Sequence, residues 1–431
     1  MTDLLTAEVS KALRSRVTSC TSAMRYRNSG KPLAMIADEL NVEAVIEGSV
    51  VSSGGRVRIT VQLIHVASDR HLWAETYDRE LSDVPLLQHE IARAIAHEIQ
   101  ASTRAPSGNG PAPINRSAFE AYLRARYYLD QRTAESIPAA ISWYQKAIHE
   151  EPAYARAYAG LADCYNQLGT VMIGGRPPSE SRKLAIAAAS RALEIDPELA
   201  EAHAARGYSD LYEWNWDRAK KGLDRAVSLN PNYAPAHLWL AHYLAARGQF
   251  DQALQEVRLA RDLDPLSPII QTQVGWILRF ARRQNEAIAE FRKALRMQPD
   301  YQWATWQLGG ALISKGDYAG AIRILQKDVE RSHAPAALST LGYAYGLAGR
   351  RLEAERVLAD LLVLSRQRYV PPSCFVDVYG GLRDRDKVFE WLEIAYQERS
   401  NRLLWLGVSA DMDWLRDDSR LDSLLRRTGL K

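Results

Sequence analysis

Cysteine is scarce in this chain: Cys20, Cys164 and Cys374 lie far apart, odd in number and without a CxxC pair. That pattern argues against a disulfide framework or a zinc knuckle and favours a reducing compartment. An excess of one charge is also missing. The formal net charge is +3, so there is no electrostatic case for a nucleic-acid groove or an anionic membrane surface. No run of about 18 uncharged apolar residues occurs, and no membrane span is expected. Residues 1–8 lack the basic region and apolar stretch of a signal peptide. Cytoplasm is the default compartment, whereas an upstream segment carrying a membrane helix would place the chain in the periplasm. Catalytic signatures are absent as well: there is no GxxxxGK[ST] loop, GxSxG elbow, HExxH helix or kinase HRD and DFG pair. The nine histidines are scattered, and His237 and His242 point in different directions on a helix. We therefore expect no catalytic residue, no metal ligand and no cofactor, and read the chain as non-enzymatic.

What is present is a period. With 47% apolar and 25% charged residues over 431 positions, the chain is an ordinary folded polypeptide long enough for more than one unit. Pro197, Pro231, Pro265 and Pro299 recur every 34 residues. Five residues before each stands Ala192, Ala226, Ala260 or Ala294, and twelve before each stands Ala185, Ala219, Ala253 or Ala287. Further upstream, small residues recur at Gly207, Ala241, Gly275 and Gly309. Paired helices explain the pattern, because two helices crossing closely tolerate little more than a methyl group at the crossing. The proline follows the second helix, where it cannot continue the ladder.

This spacing resembles the tetratricopeptide repeat, across about residues 118–400. An earlier unit ends with Ala140, Tyr144, Ala147 and Pro152, and its turn is lengthened around Thr133–Pro138. The next carries eleven extra residues in Val171–Ser181, read as a protruding loop. Residues 401–431, with Trp405, Trp414 and Leu421, read as a segment capping the last apolar face. The resemblance implies a right-handed α-solenoid whose first helices line a concave groove that binds another protein or a peptide. Positions expected to face that groove are Asp163, Asn166, Tyr208, His242, Trp276, Arg279, Trp303, Trp306 and Tyr343. Trp, Tyr and Arg are the residue types that anchor interfaces, although each aromatic could equally pack between neighbouring helices. The paired Lys and Asn with which such repeats grip chaperone tails are replaced by Ala159, Asp163, Ala204 and Tyr208, so no chaperone-tail binding is expected.

Residues 1–100 lack the repeat. Helical patterning covers 2–13, 31–41 and 85–100. Between them, Val45–Val51 and Val57–His65 alternate around a Ser53-Gly-Gly-Arg56 turn as a β-hairpin, followed by a strand over His71–Tyr77. The segments Thr21–Tyr26, Leu40–Val50, Arg56–Ile64 and Asp69–Glu75 resemble the TolB-like amino-terminal domain. In a bacterial family that domain precedes tetratricopeptide repeats, often downstream of a winged-helix, nucleotide-cyclase or kinase module. The resemblance implies a mostly α protein with a small α/β domain over 1–100, a flexible linker over 101–117, the solenoid over 118–400 and the cap over 401–431. It also implies that a first strand is missing before Met1, which would leave an unpaired sheet edge open to self-association. The function so implied is a non-catalytic scaffold or regulatory sensor arm. The alternative is the carboxyl-terminal part of a signalling enzyme or winged-helix activator whose output module lies upstream. No direct nucleic-acid contact is expected of this chain.

Overall fold

Alternation of β-branched and polar residues from Ala44 onward builds three antiparallel strands in the order β1-β2-β3. They are β1 Ala44–Ser53, β2 Arg56–His65 and β3 Arg70–Glu80. In this computed structural model the described residues are 16–27, 29–53, 56–66, 70–80 and 115–431, together with Thr6, Val9, Leu87, Glu90, Ile91, Ala92, Ala94 and Ile95. The Gly54–Gly55 turn, most of the expected 2–13 helix and residues 101–114 lie outside them. Val57, Ile59, Val61 and Leu63 of β2 are buried on one face, as a period of two requires. The third strand is longer than 71–77, and its register against β2 shifts between Leu63 and Ile64. Before the sheet come α1 (Cys20–Met24) and α2 (Leu33–Leu40). The buried face of β2, with Ile91 and Ile95, joins one apolar cluster that continues into Phe119 and Tyr122 of the helical region.

The rest is helices in antiparallel pairs. They run α3 (Arg116–Gln131), α4 (Ser136–Glu150), α5 (Ala155–Leu168), α6 (Pro178–Ile195), α7 (Ala200–Tyr212), α8 (Trp216–Leu229), α9 (Ala234–Ala246) and α10 (Phe250–Leu263). They continue as α11 (Pro268–Phe280), α12 (Gln284–Met297), α13 (Gln302–Ser314), α14 (Tyr318–Ser332), α15 (Pro335–Leu347), α16 (Arg351–Ser365), α17 (Pro372–Gly381) and α18 (Arg385–Gln397). The first begins two residues before the expected boundary, because Asn115 Oδ1 accepts from the amides of Ser117 and Ala118 and caps it.

The recurring small residues sit where the helices cross. A Cβ on Gly207 would lie 2.8 Å from Leu223 Cγ, on Gly275 2.6 Å from Phe291, and on Gly309 2.9 Å from Leu325. Ala241 and the paired alanines of the second helices, such as Ala219 and Ala226, are fully buried. His203 and His237, equivalent in successive repeats, each bring Nε2 to 2.8 Å from the carbonyl of Pro197 or Pro231. Their role is to tie the first helix to the proline that closed the previous pair.

The solenoid curves until its last pair meets the second and third. Trp214, in the α7–α8 turn, stacks on Tyr396 of α18 at 5.0 Å and 22°. The Ser179 amide at the start of α6 donates to the Glu398 carbonyl at 3.0 Å. The insertion ahead of α6 therefore does not protrude. Part of it extends α6, and Met172 packs against the cluster containing Trp303 and Trp306, because closure supplies an apolar surface that an open solenoid would lack. Residues 401–415 form two short 3-10 helices (Asn401–Trp405 and Ala410–Leu415), and α19 (Ser419–Arg427) follows. Leu403, Leu406, Met412 and Leu421 pack on Val388 and Leu392 of the last pair. Leu404 and Trp405 turn the opposite way, into the cluster of α7–α13.

Candidate functional site

The first helices line the inner face of the ring, and their aromatic side chains converge there. Tyr208, His242, Trp276, Arg279, Trp303, Trp306 and Tyr343 border one cavity of ≈ 240 Å³. Asn166 does not: buried between α5 and α7, it donates to the Ala205 carbonyl at 3.0 Å and accepts from Ser209 Oγ at 2.8 Å. Asp163 also stands apart from this cavity. Burial, opposed in part by Arg132 and Arg126, pushes its carboxyl up to about 7.

Several of the bordering side chains are held by neighbouring helices. His242 is buried, accepting from Tyr212 OH at Nδ1 (3.1 Å) and donating from Nε2 to Gln273 Oε1 (2.9 Å). Burial brings its pKa down to about 4, so the ring is neutral. Trp306 donates its indole N–H to Asp328 of α14 at 2.6 Å. Trp276 is held by ring contacts instead, 5.9 Å from Trp303 and 5.1 Å from Phe280.

The groove they form is already occupied by the chain itself. Trp405 lies parallel to Phe280 at 4.8 Å and 6°, with edges toward Trp276 at 4.5 Å and His242 at 5.4 Å. Arg279 pairs with Asp411 at 2.8 Å, and Arg402 with Asp377 at 2.6 Å. Although burial acts the other way, Arg279 and Arg402 together hold the Asp411 carboxyl below its ordinary range. Asn401 bonds both Tyr208 OH (3.3 Å) and Arg182 (2.6 Å). Farther on, Trp216 and Arg247 donate to the carbonyls of Thr428 and Gly429, each at 2.8 Å. A periodicity search cannot place such a segment, since residues 401–415 have neither a helical nor a strand pattern.

A second set of contacts lies in the turns between paired helices. Gly248, Gly316 and Gly349 occupy the left-handed region there, with φ of 75°, 79° and 75°. Trp214, Arg282 and Arg383 hold the same place with φ of 62°, 64° and 60°, where a side chain costs about 1–2 kcal/mol. All three reach residues carboxyl-terminal to α17, Trp214 those of α18 and the two arginines those of the tail beyond it. Trp214 stacks on Tyr396, Arg282 forks onto Asp413 at 2.7 and 2.9 Å, and Arg383 covers Trp414 at 4.8 Å. A non-glycine residue in a turn that elsewhere carries glycine was the available sequence signal. Arg282→Gly should therefore leave stability within ~1 kcal/mol of wild type, since relief of the backbone offsets an exposed ion pair. Amide exchange over 405–415 should nevertheless accelerate. Exchange unchanged in that segment would refute the assigned role of Arg282.

Among the described residues no group of three or more His, Cys, Asp or Glu could hold a metal ion, and no helix is long and apolar enough to cross a membrane. Residues 210–273 and 281–341 match the tetratricopeptide repeat family. A putative adenylate cyclase 3 of Rhizobium meliloti (strain 1021) is 26% identical over 211 residues, 47% of this chain and 35% of that protein. The transcriptional regulator HilA of Salmonella typhimurium is 22% identical over 261 residues, 60% of this chain and 47% of that one. The chain thus spans about a third to a half of the length of these relatives. Among solved structures, the APC/C hetero-tetramer Cut9–Hcn1 aligns at 17% identity with a TM-score of 0.48, covering 80% of this chain and 63% of that chain. The family match identifies residues 210–273 and 281–341 as tetratricopeptide repeats, within a solenoid of paired helices that carries small residues at the crossings of Gly207, Ala241, Gly275 and Gly309 and follows a small three-stranded sheet.

Proposed function

We propose that this protein acts without catalysis, as an interaction module that binds an extended polypeptide along the inner face of its repeats. The observation that carries this reading is the tail itself. The groove holds a stretch of chain outside the helix pairs, with an aromatic anchor at Trp405 and acidic groups at Asp411 and Asp413 set against Arg279 and Arg282. A partner offering an aromatic residue followed by carboxylates at similar spacing would take the same contacts. It would have to compete with the tail, whose effective concentration is that of a tethered ligand.

A synthetic peptide of residues 400–416, added in trans, tests the reading. The double variant Asp411→Asn/Asp413→Asn should bind it at least about tenfold more tightly than wild type, because the resident segment is loosened. Adding Trp276→Ala should abolish that binding, with the fold checked by circular dichroism. Equal affinity in all three proteins would overturn the groove.

A second reading has support in the relatives. One is described as a putative adenylate cyclase and another as a transcriptional regulator, and each extends well beyond the matched region. On that reading the repeats are the regulatory part of a larger signalling protein, and what enters the groove reports to an output module. We also assign the sheet with α1 and α2 to a TolB-like unit, on the segments quoted above.

A further inference from the structure

The tail does not fill the groove. The cavity of ≈ 240 Å³ remains between the first helices, the tail and the insertion. Trp239, Trp276, Trp303 and Trp405 face it, Met172 of the insertion covers one side, and Arg132 stands at its edge. Polar capacity inside is lopsided. Both bordering carboxylates are engaged, Asp411 with Arg279 and Ser409 and Asp377 with Arg402 and Ser339. Donors are left over. Arg402 Nε is buried without an acceptor. Gln273 and Gln307 use their amide oxygens on His242 and Arg279, at 2.9 and 3.3 Å, and their N–H groups remain available.

Arg132 carries the strongest part of this surplus. It ends α3 with φ of 47°, the left-handed residue of the lengthened first turn. In the later turns the non-glycine residue Trp214 stacks on Tyr396 of α18, and Arg282 and Arg383 grip the tail. Arg132 grips nothing: among the described residues no carboxylate lies within ion-pair distance of it. Two neutralised pairs, a neutral histidine, and a guanidinium that no ion pair engages and whose neighbour Asp163 has its carboxyl pushed up to about 7 by burial leave a net positive site with aromatic walls. Such a site fits a flat apolar body bearing an anion, with the arginine fork matching a planar carboxylate. The volume is just under the ~300–1,000 Å³ of most small-molecule sites, so the ligand is a small one of one or two rings.

We infer that the cavity between tail, insertion and first helices binds a small aromatic carboxylate, its ring among the tryptophans and its carboxylate on Arg132. This goes beyond polypeptide binding and needs the tail in place, since Trp405 and Asp411 form one wall. The ligand and a groove-binding partner are then antagonists: one closes the ring and the other opens it.

Calorimetric titration of the full chain with 2-naphthoate and its neutral isostere 2-naphthamide tests this directly. The acid should bind one to one with a Kd below ~100 µM and at least about tenfold more tightly than the amide. Arg132→Gln should bring the two within about twofold of each other, whereas Arg132→Lys should keep most of the preference. Equal binding of acid and amide to wild type, a preference surviving Arg132→Gln, or no binding of either up to ~1 mM would each overturn the assignment. The two readings fail separately. Acid-selective binding without trans-peptide binding retains the ligand site and sinks the groove, and the reverse result does the opposite.

Discussion

Trp405→Ala is expected to cost about 3–5 kcal/mol of stability, the usual loss for a fully packed aromatic. The side chain is 4% exposed and is set among Phe280, Trp276 and His242, none of which can move in to fill the void. Phe280 ends α11, Trp276 is fixed one turn earlier on the same helix, and His242 is tied by hydrogen bonds to Tyr212 and Gln273. The lost ring contacts add about 0.5–1.5 kcal/mol each beyond area burial. The effect should not stay local. Without its aromatic anchor, the chain between Ser400 and Arg416 keeps Leu404 and its polar contacts on the inner face and Leu403, Leu406 and Met412 on the last pair, and cleavage there by a protease should become faster while the helix pairs persist. Urea unfolding and limited proteolysis measure the two effects. A loss under ~1 kcal/mol with the tail still protected would mean that Trp405 is not what holds it.

How much of this was legible depends on what enforced each feature. Gly207, Gly275 and Gly309 were readable because a Cβ at a helix crossing meets the neighbouring side chain in every repeat, so the constraint recurs with the period. Tyr208, His242, Trp276, Arg279, Trp303, Trp306 and Tyr343 were placed on the inner face by counting from those residues, and the cavity brings them together. Counting failed at Asn166, because the α5–α7 contact turns that side chain between helices to satisfy Ala205 and Ser209. It also could not show that Trp306 is spoken for by Asp328. The tail was beyond reach for a different reason. Trp405 and Trp414 announced a buried surface, but which surface depends on ring closure, a sum of small rotations over eight pairs that no local pattern encodes. Arg132, Trp214, Arg282 and Arg383 were missed because propensity does not mark a left-handed residue other than glycine, and only comparison with Gly248, Gly316 and Gly349 in the equivalent turns singles them out.

Closure rests in turn on the last two first helices, and the second large effect is expected there. A Cβ on Gly346 would lie 2.4 Å from the backbone carbon of Gly381, and one on Gly381 2.6 Å from the Tyr343 carbonyl oxygen. Here α15 and α17 touch main chain to main chain. At Gly207 the nearest obstacle is the Leu223 side chain, 2.8 Å away, with the Leu223 backbone nitrogen at 3.2 Å, so a small rotation and a shift of a few tenths of an ångström make room. Gly346→Ala meets backbone that cannot yield without separating the helices. It should cost about 3 kcal/mol or more, even after the ~1 kcal/mol that alanine returns in helix propensity. Gly207→Ala should cost about 1 kcal/mol or less by the same balance. Spreading α15 from α17 also moves Asp377 away from Arg402 and carries Tyr396 off Trp214. Gly346→Ala should therefore release the tail as Trp405→Ala does, although it touches no tail residue. Thermal unfolding of the two glycine variants side by side decides the matter: equal losses would mean that the α15–α17 approach gives as easily as an ordinary crossing, and that the ring is closed by the tail alone.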